Sequence, residues 1–373
     1  MNTIDLHQQI ALTLLNKTGK KRMRTILSHT QTVEAFFSES KYNLSKIPGI
    51  GKKTIESIDR NKALKEAEQY LSLIERENIH AVFFQDKEFP HKLNQCEDGP
   101  LLLFYKGNIN LNPGKTVAIV GTRNASEYGK KLCEELIMSL KQQEITVISG
   151  LAYGVDIFVH ELCLRYNLPT IGVLGHGLDM IYPAIHKATS ERMMNNGGIL
   201  TEFLPGTSLD RMNFPMRNRI IAGLCDATIV IESGEKGGSL ITAELANDYN
   251  REVFAFPGNI DSKYSKGCNR LIQQNKAHLI SSGADFLQLM GWQQEEGAQL
   301  RIPDVAVSED NPPLTKTEEK LISYLKERTE VTAEWLAAKS NINAGEINFS
   351  LLNLEFLGLI KSLPGYKYRL AVS

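Results

Sequence analysis

The sequence predicts an α/β fold with a doubly wound core, a helical segment ahead of it and a small domain behind it. Between about residues 73 and 292, short β-rich runs alternate with helical ones. The strand candidates are VAIVG (117–121), TVISG (146–150), TIGVLG (170–175), GILTE (198–202), ATIVIE (227–232) and EVFAFPG (252–258). Several are almost continuously apolar, as strands buried on both faces of a parallel sheet must be. Successive runs lie about 25 residues apart, enough for one crossover helix each.

The 373 residues lead us to expect two or three domains. Residues 1–72 read as helical throughout, with turns at Thr18-Gly19 and Pro48-Gly49. Residues 1–62 hold eleven Lys/Arg against five Asp/Glu, a balance of +6. The core spans 73–292. Residues 293–313 carry five acids, one Arg and three prolines and read as a linker. Residues 314–373 form the terminal domain. The net charge of −1 gives no global field for a polyanion, so any nucleic-acid site must be a local patch. The five cysteines (96, 133, 163, 225, 268) form no C-x-x-C pair, against a disulfide framework or zinc knuckle and for a reducing compartment. The N-terminus is not a signal peptide, and no apolar run reaches membrane-spanning length. A cytoplasmic protein without membrane contact is the expectation.

The strand ends carry the chemistry, because ligands of such sheets sit at the carboxyl ends of the strands. In VAIVGTRNASEYG, Gly121 ends a strand and lets backbone approach a ligand, followed by Thr122. Arg123 can fork onto a phosphate, and a helix starting near Ser126 offers unpaired N–H groups to an anion. Against this stands a plain strand-to-helix turn with a surface Arg. G-x-G-x-x-G is absent. SGLAYGVD places Gly150, Tyr153 and Gly154 before a helix. GHGLD follows the next strand, and EKGGSLITAE opens a helix with Gly237, Gly238 and Ser239. Four such turns at successive strand ends predict a polar, backbone-lined cleft. In FPMRNRIIAG, Pro215 suits a helix start. Arg217 and Arg219 flank Asn218 there, either as a basic wall on the cleft or as a salt-bridged surface turn.

Catalytic signatures are sparse. Asp156 and His160 lie i,i+4 on one helix, with Cys163 beyond; a hydrolase pair competes with a histidine held for structure, the favoured reading. There is no G-x-S-x-G elbow, no H-E-x-x-H or paired-Asp metal signature and no Walker A lysine, so no cofactor or metal is expected. Glu244 is the best lone acid or base, or a helix-face residue.

These segments, with the preamble FPHKLNQCEDGPLLLFYKGN (89–108), TEFLPG and VFAFPGNI, resemble the DNA-processing protein A family, also called DprA or Smf, densely and in order over roughly 80–290. The resemblance implies an extended Rossmann-like core that binds single-stranded DNA and acts as a homodimer. It implies a non-enzyme that protects incoming strands and loads the RecA recombinase onto them in natural transformation. Carried over, Arg123 matches the family's Arg after the first strand. Arg217, Asn218 and Arg219 match its RNR segment, and Gly237, Gly238 and Ser239 a second phosphate-cradling turn. Many members carry Arg or Lys in the third turn, where this chain has Tyr153, an exchange of charge for a stacking surface.

LSKIPGIGKKTIESI (44–58) has the pattern of a helix-hairpin-helix, like the SAM-like or helix-hairpin-helix-like domain that precedes the core in the family. Its Gly49, Gly51, Lys52 and Lys53 read either as a DNA-backbone contact or as a capped turn. Residues 314–370 resemble a winged helix. Its recognition helix, near 344–357, contains Glu346 and Glu355 and no Lys or Arg, so the domain is expected to meet protein or dock internally, not to read DNA. The rival reading is a Rossmann-fold phosphoribohydrolase-like enzyme, from the GG-x(3)-T-x-E segment; Lys236 and Leu240 depart from that family's Pro and third Gly. A purely structural dimer scaffold is a third reading.

Overall fold

The computed structural model describes residues 3–15, 18–293, 314–328, 330–340, 342–363 and 367–371; the linker expected at 293–313 falls, from 294 on, outside them. The chain divides into two compact units, Met1–Gln294 and Glu295–Ser373.

The first unit opens with helices α1 (Thr3–Leu14), α2 (Lys20–Thr30), α3 (Val33–Ser38), α4 (Lys41–Leu44), α5 (Lys52–Glu56) and α6 (Arg60–Arg76). Short polar side chains start three of them. Thr32, Ser40 and Asp59 accept from the N–H groups of Ala35, Asn43 and Lys62, which have no carbonyl partner inside the helix. This segment is not insulated from the core. Ile10, Ile26 and Leu27 join Leu102, Phe104 and Ile199 of the sheet in one apolar cluster.

The sheet has nine strands: β1 (His80–Phe83), β2 (Leu102–Asn108), β3 (Lys115–Val120), β4 (Ile145–Ser149), β5 (Thr170–Val173), β6 (Gly197–Thr201), β7 (Ala227–Val230), β8 (Glu252–Ala255) and β9 (His278–Leu279). Their order is β1-β2-β6-β5-β4-β3-β7-β8-β9. β3 to β9 run parallel, and every residue of β4, β5, β6 and β7 is buried. All six strand candidates form. Two antiparallel strands, β1 and β2, extend the sheet beyond β6, and β9 lies at the far edge. Helices α7 (His91–Asn94), α8 (Glu127–Leu140), α9 (Val155–Tyr166), α10 (Lys187–Met193), α11 (Asn213–Leu224), α12 (Gly238–Asp248), α13 (Lys266–Gln273) and α14 (Gly283–Leu289) cover it. Apolar clusters centred on Ile148 and Ile220 and on Ile119 and Leu136 fill the interior.

From β3 the chain winds through β4, β5 and β6 to one side, then returns through α11 to place β7 on the other. The reversal leaves a crevice above the carboxyl ends of β3 and β7, where doubly wound sheets hold ligands.

The second unit packs α15 (Lys316–Glu327), α16 (Ala333–Ser340) and α17 (Ala344–Phe356) on a small antiparallel sheet. Its strands β10 (Val331–Thr332), β11 (Ile360–Leu363) and β12 (Lys367–Leu370) lie in the order β10-β12-β11. Leu321, Leu336, Ile347, Leu354 and Ile360 form its core. This is a winged helix.

Candidate nucleic-acid interface

The switch-point crevice is a cavity of about 670 Å³. Gly121, Thr122 and Arg123 line it after β3, Ala152 and Asp156 after β4, and Gly234, Gly237, Gly238 and Ser239 after β7. Phe214, Arg217 and Asn218 of α11 form one wall, and Tyr182 and Arg211 stand at its mouth.

Hydrogen bonds lock the turns together. Thr122 N–H donates to Glu232 O at 2.8 Å, and Val155 N–H to Thr122 O at 3.1 Å. Gly154 (φ 79°) lies against the backbone of Thr122 and Arg123, where a Cβ would clash. Leu151 is buried with φ 59°, a conformation bulky side chains rarely adopt; its carbonyl oxygen lies 2.9 Å from His186 Nδ1.

The arginines divide sharply. Arg123 is exposed; its guanidinium lies 5.8 Å from the centroid of the Phe214 ring, close enough for a cation–π contact. Arg211 is exposed as well, and among the described residues neither pairs with a carboxylate. Arg217 is buried. It donates to the carbonyls of Gly150 and Val173, and burial, partly offset by Asp156, brings its pKa down to about 10. Arg219 is buried too, on the other side of α11, bonded to Glu202, which also holds Lys20. The idea that two arginines so spaced stand as a solvent-facing wall is therefore corrected: of this pair, only Arg217 borders the cavity, with its Nη1 held by the two carbonyls and its Nε buried without a partner among the described residues.

The start of α8 is a second correction. Two of its N–H groups, those of Ser126 and Gly129, are already taken within the chain. Ser126 Oγ accepts from Gly129 N–H at 3.1 Å, while Ser126 N–H and Oγ–H donate to the buried Glu232 carboxylate at 2.9 and 2.6 Å. Glu232 occupies the place a phosphate would take at this helix end.

Gly150 sits beneath Arg217, and Ser239 Oγ–H donates to Ser233 Oγ at 2.9 Å. Tyr153 is 49% exposed with its ring edge-on to His186, outside the cavity lining. Gly49 (φ 79°) and Gly51 have open space around them in the N-terminal turn, and Lys52 pairs with Glu56 at 3.9 Å. Asp156 and His160 do not pair. Asp156 accepts from Ala152 N–H at 3.3 Å, its pKa raised by burial against the pull of Arg217. His160 faces Thr170. Glu244 pairs with Lys276 at 3.5 Å, off the cavity. Among the described residues no cluster could hold a metal ion, and no helix is long and apolar enough to cross a membrane.

Sequence reasoning passed over Arg211, Tyr182 and Phe214. Arg211 lies just ahead of FPMRNR, a cation the motif could have drawn in; Tyr182 arrives from a loop no local signal ties to the crevice.

A larger cavity of about 1030 Å³ lies between α1–α2 and the core, lined by Leu12, Lys20, Leu102, Glu202 and Arg219 among others. Among its cations, Lys20 and Arg219 are matched by Glu202 and Lys21 by Glu97, which leaves Arg22; what sets the switch-point crevice apart is that its exposed Arg123 and Arg211 stand beside backbone turns at the reversal of the sheet.

Fold and site define an α/β protein whose switch-point crevice is rimmed by glycine turns and by arginines without a carboxylate partner among the described residues; in the chain, a helix-hairpin-helix segment precedes this core and a winged helix follows it. The chain belongs to the DNA-processing protein A (DprA/Smf) family: the family profile described as DNA recombination-mediator protein A matches residues 80–291. A SAM-like helix-hairpin-helix tandem profile matches 10–58, and a DprA winged-helix profile matches 307–366. Protein Smf of Synechocystis is 32% identical over 94% of this chain and 95% of its own. DNA processing protein DprA of Streptococcus pneumoniae is 44% identical over 54% of this chain and 71% of its own. Among solved structures, S. pneumoniae DprA matches with a TM-score of 0.65 at 35% identity, over 75% of this chain and 97% of that one. DprA of Helicobacter pylori, described for its single-stranded DNA binding mode, matches with a TM-score of 0.52 at 28% identity, over 58% and 97%.

Proposed function

We propose that this chain binds single-stranded DNA without sequence preference in the switch-point crevice, protects incoming strands and loads RecA onto them during transformation and recombination. The observation that carries the reading is the pair of exposed, carboxylate-free arginines, Arg123 and Arg211, beside backbone turns at the reversal of a doubly wound sheet. Arg123 and Arg211 take phosphates; the glycine turns let the strand approach closely; Phe214 and Tyr182 offer ring faces to bases. Arg217, Gly150 and Gly154 hold the turns in register, and Asn218 and Ser239 line the wall. The protein works as a homodimer in the cytoplasm and is not a catalyst. With Glu244 paired away from the cavity and His160 turned from Asp156, the hydrolase reading lacks a placed acid and base.

The test is binding of fluorescent oligo-dT across a salt series. Wild type binds with an affinity that falls steeply with salt. Arg123→Ala lowers affinity by about tenfold or more and flattens the log–log salt slope by about 0.7, the share of one phosphate on a single strand. Wild type that fails to bind, or a variant indistinguishable from it, removes the claim and turns the search to nucleotides.

A further inference from the structure

On α17, Phe349, Leu352 and Phe356 stand 72%, 54% and 83% exposed. Their i, i+3, i+7 spacing puts them on one face, which Gly345 extends by a turn. The opposite face, with Ile347, Leu351 and Leu354, is buried in the unit's own core. The stripe is therefore apolar surface beyond what folding of the unit needs, of the kind that marks an interaction site.

The stripe carries no charge. Glu346 accepts from Thr317 Oγ–H at 2.9 Å, and Glu355 from Ser362 N–H at 3.1 Å, so both carboxylates turn to α15 and β11. A duplex groove would need cations here. An apolar stripe at this spacing is what one helix offers another.

The residue order selects the partner. When a second α17 lies antiparallel, about a two-fold midway between Phe349 and Leu352, residues equally far from the axis meet. Phe349 then packs beside the partner copy's residue 352, and Phe356 falls opposite its residue 345, a glycine. The bulkiest exposed side chain meets the position with none. The space over Gly345 is open: a Cβ there would approach only Asn343 Oδ1, at 3.3 Å. A parallel pair would set phenylalanine on phenylalanine and leave a gap at the glycines. We infer that the winged helices of two copies of this chain associate antiparallel through Gly345, Phe349, Leu352 and Phe356.

Size sets the strength. Aromatic side chains bury about 150–250 Å² each, so three partly exposed residues per copy cover roughly 600–900 Å² in all, under the about 1,200 Å² at which stable interfaces begin. Alone the contact is weak. It closes when another contact, such as a dimer through the core, raises the effective concentration to the millimolar range. The inference does not depend on the DNA reading.

Disulfide trapping in the full chain tests it, with the five native cysteines silent because all are buried. Tagged Gly345→Cys chains are mixed with untagged Phe356→Cys chains at high concentration under mild oxidation. The mixed cross-link forms at least tenfold over either self-cross-link. In the antiparallel pair the two copies of residue 345 lie about 16 Å apart along the helix axis, beyond the roughly 4 Å Cβ separation of a disulfide. Adding Leu352→Glu to both chains removes the mixed product without moving the thermal melt, because that side chain is exposed. Self-cross-links matching the mixed one indicate parallel or random encounter and overturn the proposal. No cross-link at all shows the stripe covered from within the chain or by another protein, and overturns it too.

Discussion

Arg123 and Arg217 are the same residue type at the rim and the floor of one crevice, and burial gives them opposite work. Arg123→Ala changes unfolding free energy by no more than about 0.5 kcal/mol, the range of surface substitutions, while it cuts oligo-dT affinity. Arg217→Ala strands the carbonyls of Gly150 and Val173 and leaves Asp156 buried without its cation. Each buried carbonyl left without its donor costs about 1–3 kcal/mol, so urea unfolding separates the two variants; an Arg217→Ala protein as stable as wild type would place that guanidinium in solvent. His160 supplies the pH dependence. Thr170 Oγ–H donates to Val147 O at 3.1 Å, so His160 Nδ1–H donates to Thr170 Oγ at 2.7 Å. Nε2 is left buried without a partner among the described residues. Burial, then the charge of Arg217, brings the pKa from 6.5 to about 3. The folded state therefore refuses a proton that the unfolded chain accepts. This contribution is fully present above pH 6.5 and is lost as pH falls, at up to about 1.4 kcal/mol per unit down to the folded pKa. His160→Gln removes one proton's worth of slope from the stability profile between pH 7 and 4.5; an unchanged slope would show the ring already charged in the fold. None of this was legible in RNR or in D-x(3)-H. Spacing says which residues share a helix, but the burial of Arg217 and Arg219 is set by β4, β5 and β6, far away in sequence.

The elements around the crevice are held by contacts no local pattern announces. Glu232, just past β7, caps α8, more than a hundred residues earlier in the chain, which is why the helix start looked open when read alone. The N-terminal helical layer is fastened in a similar way. Glu202, just past β6, bonds both Lys20 of α2 and Arg219 of α11, and Arg24 of α2 donates to Asn94 Oδ1 at 2.9 Å and Pro100 O at 3.1 Å. Burial lowers the Lys20 pKa, against the attraction of Glu202. Glu202→Ala leaves two like charges in a largely enclosed space without their counter-ion, a loss of about 3–5 kcal/mol. The triple change Lys20→Met, Glu202→Leu, Arg219→Met returns most of that stability, because apolar side chains of similar volume need no desolvated partner. Calorimetric melting of the single and triple variants checks this. A single variant that melts with wild type would show the triad to be solvated, and a triple variant no better than the single would show that the ions themselves hold the layer.

At the scale of the molecule, the strands buried on both faces were legible because continuous Val, Ile and Leu runs admit little else there. The antiparallel extension was not: β2 ends in the half-polar FYKGN, and β9 is two residues long. Order along the chain was readable as well, with helices first, sheet next and winged helix last, since each segment has its own hydrophobic period. Charge is distributed as unevenly as the fold. Residues 1–62 carry +6, while residues 314–370 hold eight basic against seven acidic side chains. Single-strand affinity scales with the phosphates neutralised, so it follows local cation density and not the net charge of −1. The winged helix, nearly neutral and with an uncharged stripe on α17, adds little to that term. Deleting residues 314–373 therefore leaves oligo-dT affinity within a few-fold and the salt slope unchanged. By contrast, replacing Lys52 and Lys53 together with Gln lowers the slope by up to about 1.4 if the helix-hairpin-helix turn follows the same strand, at about 0.7 per phosphate. Fluorescence anisotropy on the three proteins between 50 and 300 mM salt reads both terms. A hundredfold loss on deleting the winged helix would move part of the DNA path onto that unit, and a slope unmoved by the paired lysine change would confine the strand to the crevice above β3 and β7.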